Sequence, residues 1–159
     1  MRHTRQRPIA EMTMPNEPVV PPPAESSIEM QVINEMSEIA RVTALVESFA
    51  AHHNLPNCVV VALNVSLDEI LNNIISYAYE DAGHHDIAVR LELRHGAIEV
   101  VVEDDGKPFN PLAVSTPRPQ SATTVGGVGL HFVRNLMDRL EYAHRNGVNR
   151  LRLVKKLMV

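Results

Sequence analysis

The 159-residue chain has no tryptophan, one cysteine, three phenylalanines and three tyrosines. So few aromatics leave little from which to build the base-stacking platforms of single-strand nucleic-acid binders. A lone cysteine cannot close an internal disulfide. Cys58, at the head of the run Val59-Val60-Val61-Ala62-Leu63, reads as a small buried hydrophobe of a reducing compartment. There is no basic block either. Lys and Arg number 15 against 19 Asp and Glu, a net charge of −4, which disfavours direct binding to nucleic acid or to an anionic membrane. No uninterrupted apolar run approaches the ~20 residues that span a bilayer. Arg2, Arg5 and Arg7 are not followed by an apolar stretch, so no secretory signal is expected. These absences point to the cytoplasm.

What is present suits one domain, with an apolar fraction of 45%. Residues 1–27 hold six prolines and no periodic apolar pattern, and are expected to form a flexible, proline-rich tail; residues 28–159 are the folded part. A short strand is expected around Met30–Ile33. From Ser37 to His53, apolar residues recur at helical spacing until Asn54-Leu55-Pro56-Asn57 breaks the pattern. A second helix is expected from about Asn57 to Asp81, with its early part buried on nearly every side. The period then changes to two in Ile87, Val89, Leu91 and Leu93, and again in Ile98, Val100 and Val102, across the turn Arg94-His95-Gly96, which makes an antiparallel hairpin. Lys107 to Gly126 is irregular and rich in proline, serine and threonine, a length that suggests a lid or binding loop. A last helix opens at Gly127, with Leu130, Val133, Met137 and Leu140 on one stripe, and a final hairpin turns at Asn146-Gly147. The expected fold is α+β, a two-layer sandwich with helices on one face of a mainly antiparallel sheet.

Three segments carry chemistry. On the second helix Glu69, Asn72, Asn73, Ser76 and Glu80 share a polar side without any Lys or Arg, and Glu69 and Asn73 stand one turn apart. Asp104-Asp105-Gly106 follows a strand, and Gly126-Gly127-Val128-Gly129-Leu130 opens a helix. An Asn oxygen suits Mg²⁺, a nearby Glu suits a general base, and a glycine-rich helix start suits an anion. Each segment also has a plain reading, respectively a solvated helix face, a turn and a flexible loop.

In this order the segments resemble the N, G1 and G2 boxes of the GHKL (Bergerat-type, histidine-kinase-like) ATPases over about residues 28–157. Within that superfamily they are most similar to bacterial anti-sigma factor serine/threonine-protein kinases. The likeness extends through Tyr79, Asp105-Gly106-Lys107-Pro108-Phe109-Asn110-Pro111, Leu136-Met137-Asp138 and Gly147-Val148-Asn149-Arg150-Leu151. The resemblance implies Asn73 as the Mg²⁺ ligand and Glu69 as the base that activates a substrate hydroxyl. Asp104 would read the adenine amine, with Gly106 letting the ring approach. Gly127, Gly129 and Leu130 would lie at the phosphates, and 107–126 would be the ATP lid. Pro108 stands where the fuller G1 box has a second glycine.

The function so implied is an ATP- and Mg²⁺-dependent kinase that phosphorylates an anti-anti-sigma (STAS) protein and sequesters a sigma factor, working as a homodimer. Two alternatives are an ATP-binding partner switch with little kinase activity and a histidine-kinase catalytic domain. The pairs His52-His53 and His84-His85 lack zinc-site spacing and read as solvated or capping residues, and Ser66 and Ser76 lack a triad pattern.

Overall fold

A computed structural model of the chain describes residues 24–113 and 127–157. Most of the expected tail and most of the expected lid lie outside them. Eight elements follow in order: β1 (Ser26–Ile33), α1 (Glu38–His52), α2 (Asn57–Tyr77), β2 (Asp86–Arg94), β3 (Ala97–Asp104), α3 (Gly127–Leu136), β4 (Arg139–Arg145) and β5 (Val148–Lys156). The strands form one sheet in the order β1-β2-β3-β5-β4, and every neighbouring pair is antiparallel. This is the expected α+β sandwich.

Alternation decides which face of the sheet receives the helices. Ile87, Val89, Leu91, Ile98, Val100, Val102, Leu151 and Leu153 are buried and form one core with Val42, Val46, Leu63, Leu67 and Leu71 of α1 and α2. The opposite face is charged. Arg152 bridges Glu99 and Glu141, Arg94 bonds Glu92 and Glu99, and Arg90 lies 2.8 Å from Glu92. Val101 also points to this face yet is only 3% exposed, because its register partners are Arg90 and Arg152, whose alkyl stems cover it.

The turns are chemically specified. Asn54 takes φ 52° after α1, Asn54 N–H donates to Ala51 O, and Leu55 N–H donates to Ala50 O, which is a Schellman ending. Asn146 and Gly147 both take positive φ, as a two-residue hairpin demands.

Five sequence expectations need correction. β1 begins at Ser26, earlier than Met30 and inside the stretch read as tail, because its register with β2 runs back to Leu93. α2 stops at Tyr77 rather than near Asp81, since the Ala78 carbonyl accepts from Lys107 N–H and the chain turns away. Cys58 is exposed, not buried. Val61 is likewise 49% exposed, because the outward side of α2 meets no further layer among the described residues. Leu140 belongs to β4 opposite Leu153, not to the α3 stripe. Asp138 ends the helix by donating its N–H to Val154 O and accepting Lys156 N–H on its carboxylate.

Leu63, 1% exposed at the centre of α2, tests this core. Leu63→Ala should lower unfolding free energy by about 2–5 kcal/mol, read as a shifted urea midpoint at unchanged slope.

Candidate functional site

The site is built where α2 passes the end of β3. Glu69 and Asn73 are four residues apart on α2, so their side chains stack on one side of the helix. Asn73 Nδ2 donates to Glu69 Oε1 at 2.7 Å. The amide oxygen of Asn73 thereby points away from that bond and carries no hydrogen bond among the described residues. Gly129, in the first turn of α3, abuts the same carboxylate: a Cβ on Gly129 would overlap the Glu69 carboxyl group. Two segments sixty residues apart in sequence thus meet at one carboxylate.

Across from this wall, Asp104 ends the inward row of β3 and Asn149 begins the inward row of β5, and the two are register partners. Both are buried, at 8% and 5% exposure. Asn149 Nδ2 and Gly106 N–H both donate to Asp104 Oδ1, at 2.9 and 2.8 Å, so Oδ2 is left for another donor. Burial pushes the Asp104 carboxyl above the usual range, the Asn149 and Gly106 bonds pull against it, and Asp105 adds to the rise. Asn149 Nδ2 also lies 3.0 Å from Gly106 O and 3.2 Å from Lys107 O, and its Oδ1 accepts from Tyr142 OH at 2.6 Å. A Cβ on Gly106 would stand 2.5 Å from the Cβ of Ala78, so glycine here permits the turn to close on the end of α2.

Between these walls lies a cavity of about 560 Å³. Asn73, Asp104 and Leu130 line it, with Tyr77, Pro108, Phe109, Tyr142 and Asn149. Glu69 and Gly129 meet beside Asn73 rather than on the lining. Gly106 faces Ala78, and Gly127 is the first residue of α3. Among the described residues no group of three or more His, Cys, Asp and Glu forms a metal-binding cluster. A cation here needs a bound ligand's own oxygens to complete its shell, as Mg²⁺ does with a nucleotide.

Several site residues carried no role in the sequence reading. Asn149 was visible as a polar residue in phase with Leu151 and Leu153, an inward position that an amide occupies only with partners. Tyr77, Tyr142 and Phe109 were not separable from core by spacing. His85 is neither solvated nor a cap. It stacks on Tyr79 with ring centroids 4.0 Å apart, bonds Asp81 through Nε2 at 2.8 Å, and brings Nδ1 within 3.5 Å of Asp105. The Asp81 bond leads a set of contacts that raise the His85 pKa, and burial with Asp104, Asp105 and Asp86 raises that of Tyr79. At the root of the expected lid, Arg134 of α3 donates to Pro111 O at 2.6 Å.

The profile of the histidine kinase-like ATPase domain matches residues 33–155. The chain is 38% identical over 96 residues to the serine/threonine-protein kinase BtrW of Bordetella bronchiseptica, covering 57% of this chain and 66% of that protein. It is 25% identical over 128 residues to the serine-protein kinase RsbW of Bacillus velezensis, covering 76% and 80%. A crystal structure of the RsbU and RsbW domains of a Mycobacterium tuberculosis protein superposes with a TM-score of 0.59 at 16% identity. That likeness covers 83% of this chain and 32% of the other, and speaks to the fold alone.

Asn149→Leu should remove the amide that holds Asp104 and cost about 1.5–3 kcal/mol in urea unfolding, the range for a hydrogen bond to a charged group. The His85–Asp81 contact gives a pH signature. A His pKa raised above 6.5 on folding contributes stability that is whole below that pH and lost as pH rises through the folded value. The lowered Asp81 pKa means the same contact is lost at the acid end as that carboxylate protonates. His85→Gln should lower stability between the two titrations, where the contact is whole, and remove the losses at either end; a profile identical to wild type would refute the contact.

Proposed function

Because the chain belongs to the histidine kinase-like ATPase family, we propose that its cavity binds Mg·ATP and that the protein transfers the γ-phosphate to a Ser or Thr hydroxyl of a partner. The observation that carries this reading is one cavity with the Asn73 amide, bonded to Glu69, on one wall and the Asp104 carboxylate on the other. Asp104 Oδ2 accepts from the exocyclic amine of adenine, while Asn149 and Gly106 hold the carboxylate in place. Tyr77, Phe109 and Tyr142 supply apolar and aromatic surface to the base and sugar. Gly127 and Gly129 bring backbone N–H groups at the start of α3 to the phosphates, where the helix dipole favours negative charge.

Asn73 Oδ1 would hold the Mg²⁺. The ion, when bound, neutralises charge on the transferring phosphoryl group. Glu69 accepts the proton of the attacking hydroxyl, whose oxygen forms the new P–O bond as the bond to ADP breaks. The 2.7 Å bond from Asn73 fixes Oε1, which leaves Oε2 for that proton. The relatives named serine/threonine-protein and serine-protein kinases support a protein hydroxyl as acceptor. In the cytoplasm the partners would be a STAS-type anti-anti-sigma protein as substrate and a sigma factor held by a homodimer. The residues from β1 onward would form the working domain, preceded by a proline-rich tail.

A second reading, an ATP-dependent switch with little transfer, draws on Pro108, which lines the cavity where a glycine would leave more room. One assay separates them. Purified protein, Mg·ATP and the STAS protein encoded nearest to it are combined, and phosphoserine or phosphothreonine on the partner is read by mass spectrometry. Under the kinase reading, Glu69→Gln cuts transfer by about 10²–10⁴-fold with ATP affinity kept. Asp104→Asn weakens ATP by roughly 1.5–3 kcal/mol, about ten- to more than a hundredfold. ATP binding without transfer, with Glu69→Ala still binding the partner, favours the switch. Unchanged ATP affinity in Asp104→Asn removes the nucleotide-site assignment itself.

A further inference from the structure

Val61, Val65, Glu69 and Asn73 follow one another at four-residue intervals, so they form a single ridge along α2. The first two members are aliphatic and lie at the surface, 49% and 44% exposed. The last two are the base and the amide at the cavity. The neighbouring helix repeats the pattern. Gly129 touches Glu69, and one turn further along α3 stands Phe132, 55% exposed. A helical turn is about 5 Å, so Val65 and Phe132 each lie within about one turn of the point where the two helices meet at Glu69. Elsewhere on the described surface, the outer side of α1 carries Arg41 and Glu47, and the outer face of the sheet carries paired Arg and Glu. Uncovered aliphatic and aromatic surface on the outer side of the helical layer is gathered beside the one carboxylate that a substrate hydroxyl must reach.

We propose that Val61, Val65 and Phe132 form the docking surface for the protein that carries the phosphoacceptor hydroxyl, seating aliphatic side chains of that protein so that its hydroxyl is presented to Glu69. The inference rests on the kinase reading above. The nucleotide cavity opens on the Asn73 side of Glu69, so the acceptor approaches from the Val65 side, along the ridge. The occupant is a protein rather than a lipid surface. By length and composition α2 is the one helix among the described residues apolar enough to cross a membrane. It carries no Lys or Arg, however, and sets Asp68 and Glu69 beside the exposed valines, whereas helices that lie on membranes carry basic polar faces. Two or three well-packed apolar anchors supply much of the energy of a typical protein contact.

The test uses the full chain, Mg·ATP and the STAS acceptor protein from the assay above. Val61→Lys with Val65→Lys, and separately Phe132→Ser, change only surface positions. Each should raise the KM for the acceptor by at least about tenfold while ATP affinity and the urea midpoint stay at wild-type values. Val65→Ile should retain transfer. Unchanged acceptor KM in both disrupting variants overturns the docking surface and leaves the kinase reading standing. So does an equal loss of ATP affinity, which would make the effect structural. If transfer is untouched but the variants lower the oligomer mass, the ridge joins two copies of this chain. If they abolish binding to anionic vesicles instead, it meets a membrane; either result also overturns the proposal. No transfer by the wild-type chain fails the kinase reading, and the docking surface with it.

Discussion

The register of β3 against β5 is the constraint from which the rest of the site follows. It sets Asp104 opposite Asn149 on the inward face, and each buried polar group answers the other. A slip of β5 by one residue would send Asn149 to the charged face and leave Asp104 buried without its amide. The amide does more than satisfy the carboxylate. By reaching Gly106 O and Lys107 O as well, it ties the strand ends to the first turn of the segment beyond β3. Lys107 in turn bonds the end of α2 through Ala78. Sheet, turn and helix are thereby held around the cavity by hydrogen bonds, two of them accepted by the Asp104 carboxylate, more than by ion pairs.

The two faces of the sheet share out different tasks. The inward face buries aliphatic side chains under α1, α2 and α3 and supplies most of the driving force for folding. The outward face carries alternating charges whose individual contributions are small, on the order of 0–1 kcal/mol each. Its arginine stems nonetheless keep Val101 dry. The helix α2 is likewise divided. One side packs on the sheet with Leu63, Leu67, Ile70 and Leu71, and the other passes from exposed valines to Glu69 and Asn73.

The strands and helices were legible because their periods are clean and their turns use Asn, Gly and Pro in the required places. Asn54 and Asn146-Gly147 are examples. What was not legible depends on which layer a residue finally meets. Cys58 and Val61 look like core by composition, and they are exposed because no further layer covers that side of α2 among the described residues. The ends of α2 and α3 were misplaced because distant hydrogen bonds, from Lys107 and from Lys156, end those helices. In the candidate site, Asn73, Asp104 and Leu130 do converge on one cavity, and Glu69 meets Gly129. Asn149 and His85 had a visible residue type but no visible partner, since their contacts span 45 residues in one case and a turn of bends in the other.

The scarcity of aromatic residues has an optical consequence. With no tryptophan, the three tyrosines dominate the near-ultraviolet signal of the chain. Tyr77 and Tyr142 line the cavity, and Tyr79 stacks on His85 beside it. Their emission and circular dichroism therefore describe this one corner of the molecule rather than its core. The protein carries its own chromophores at the place where a ligand would enter, without any label having to be added.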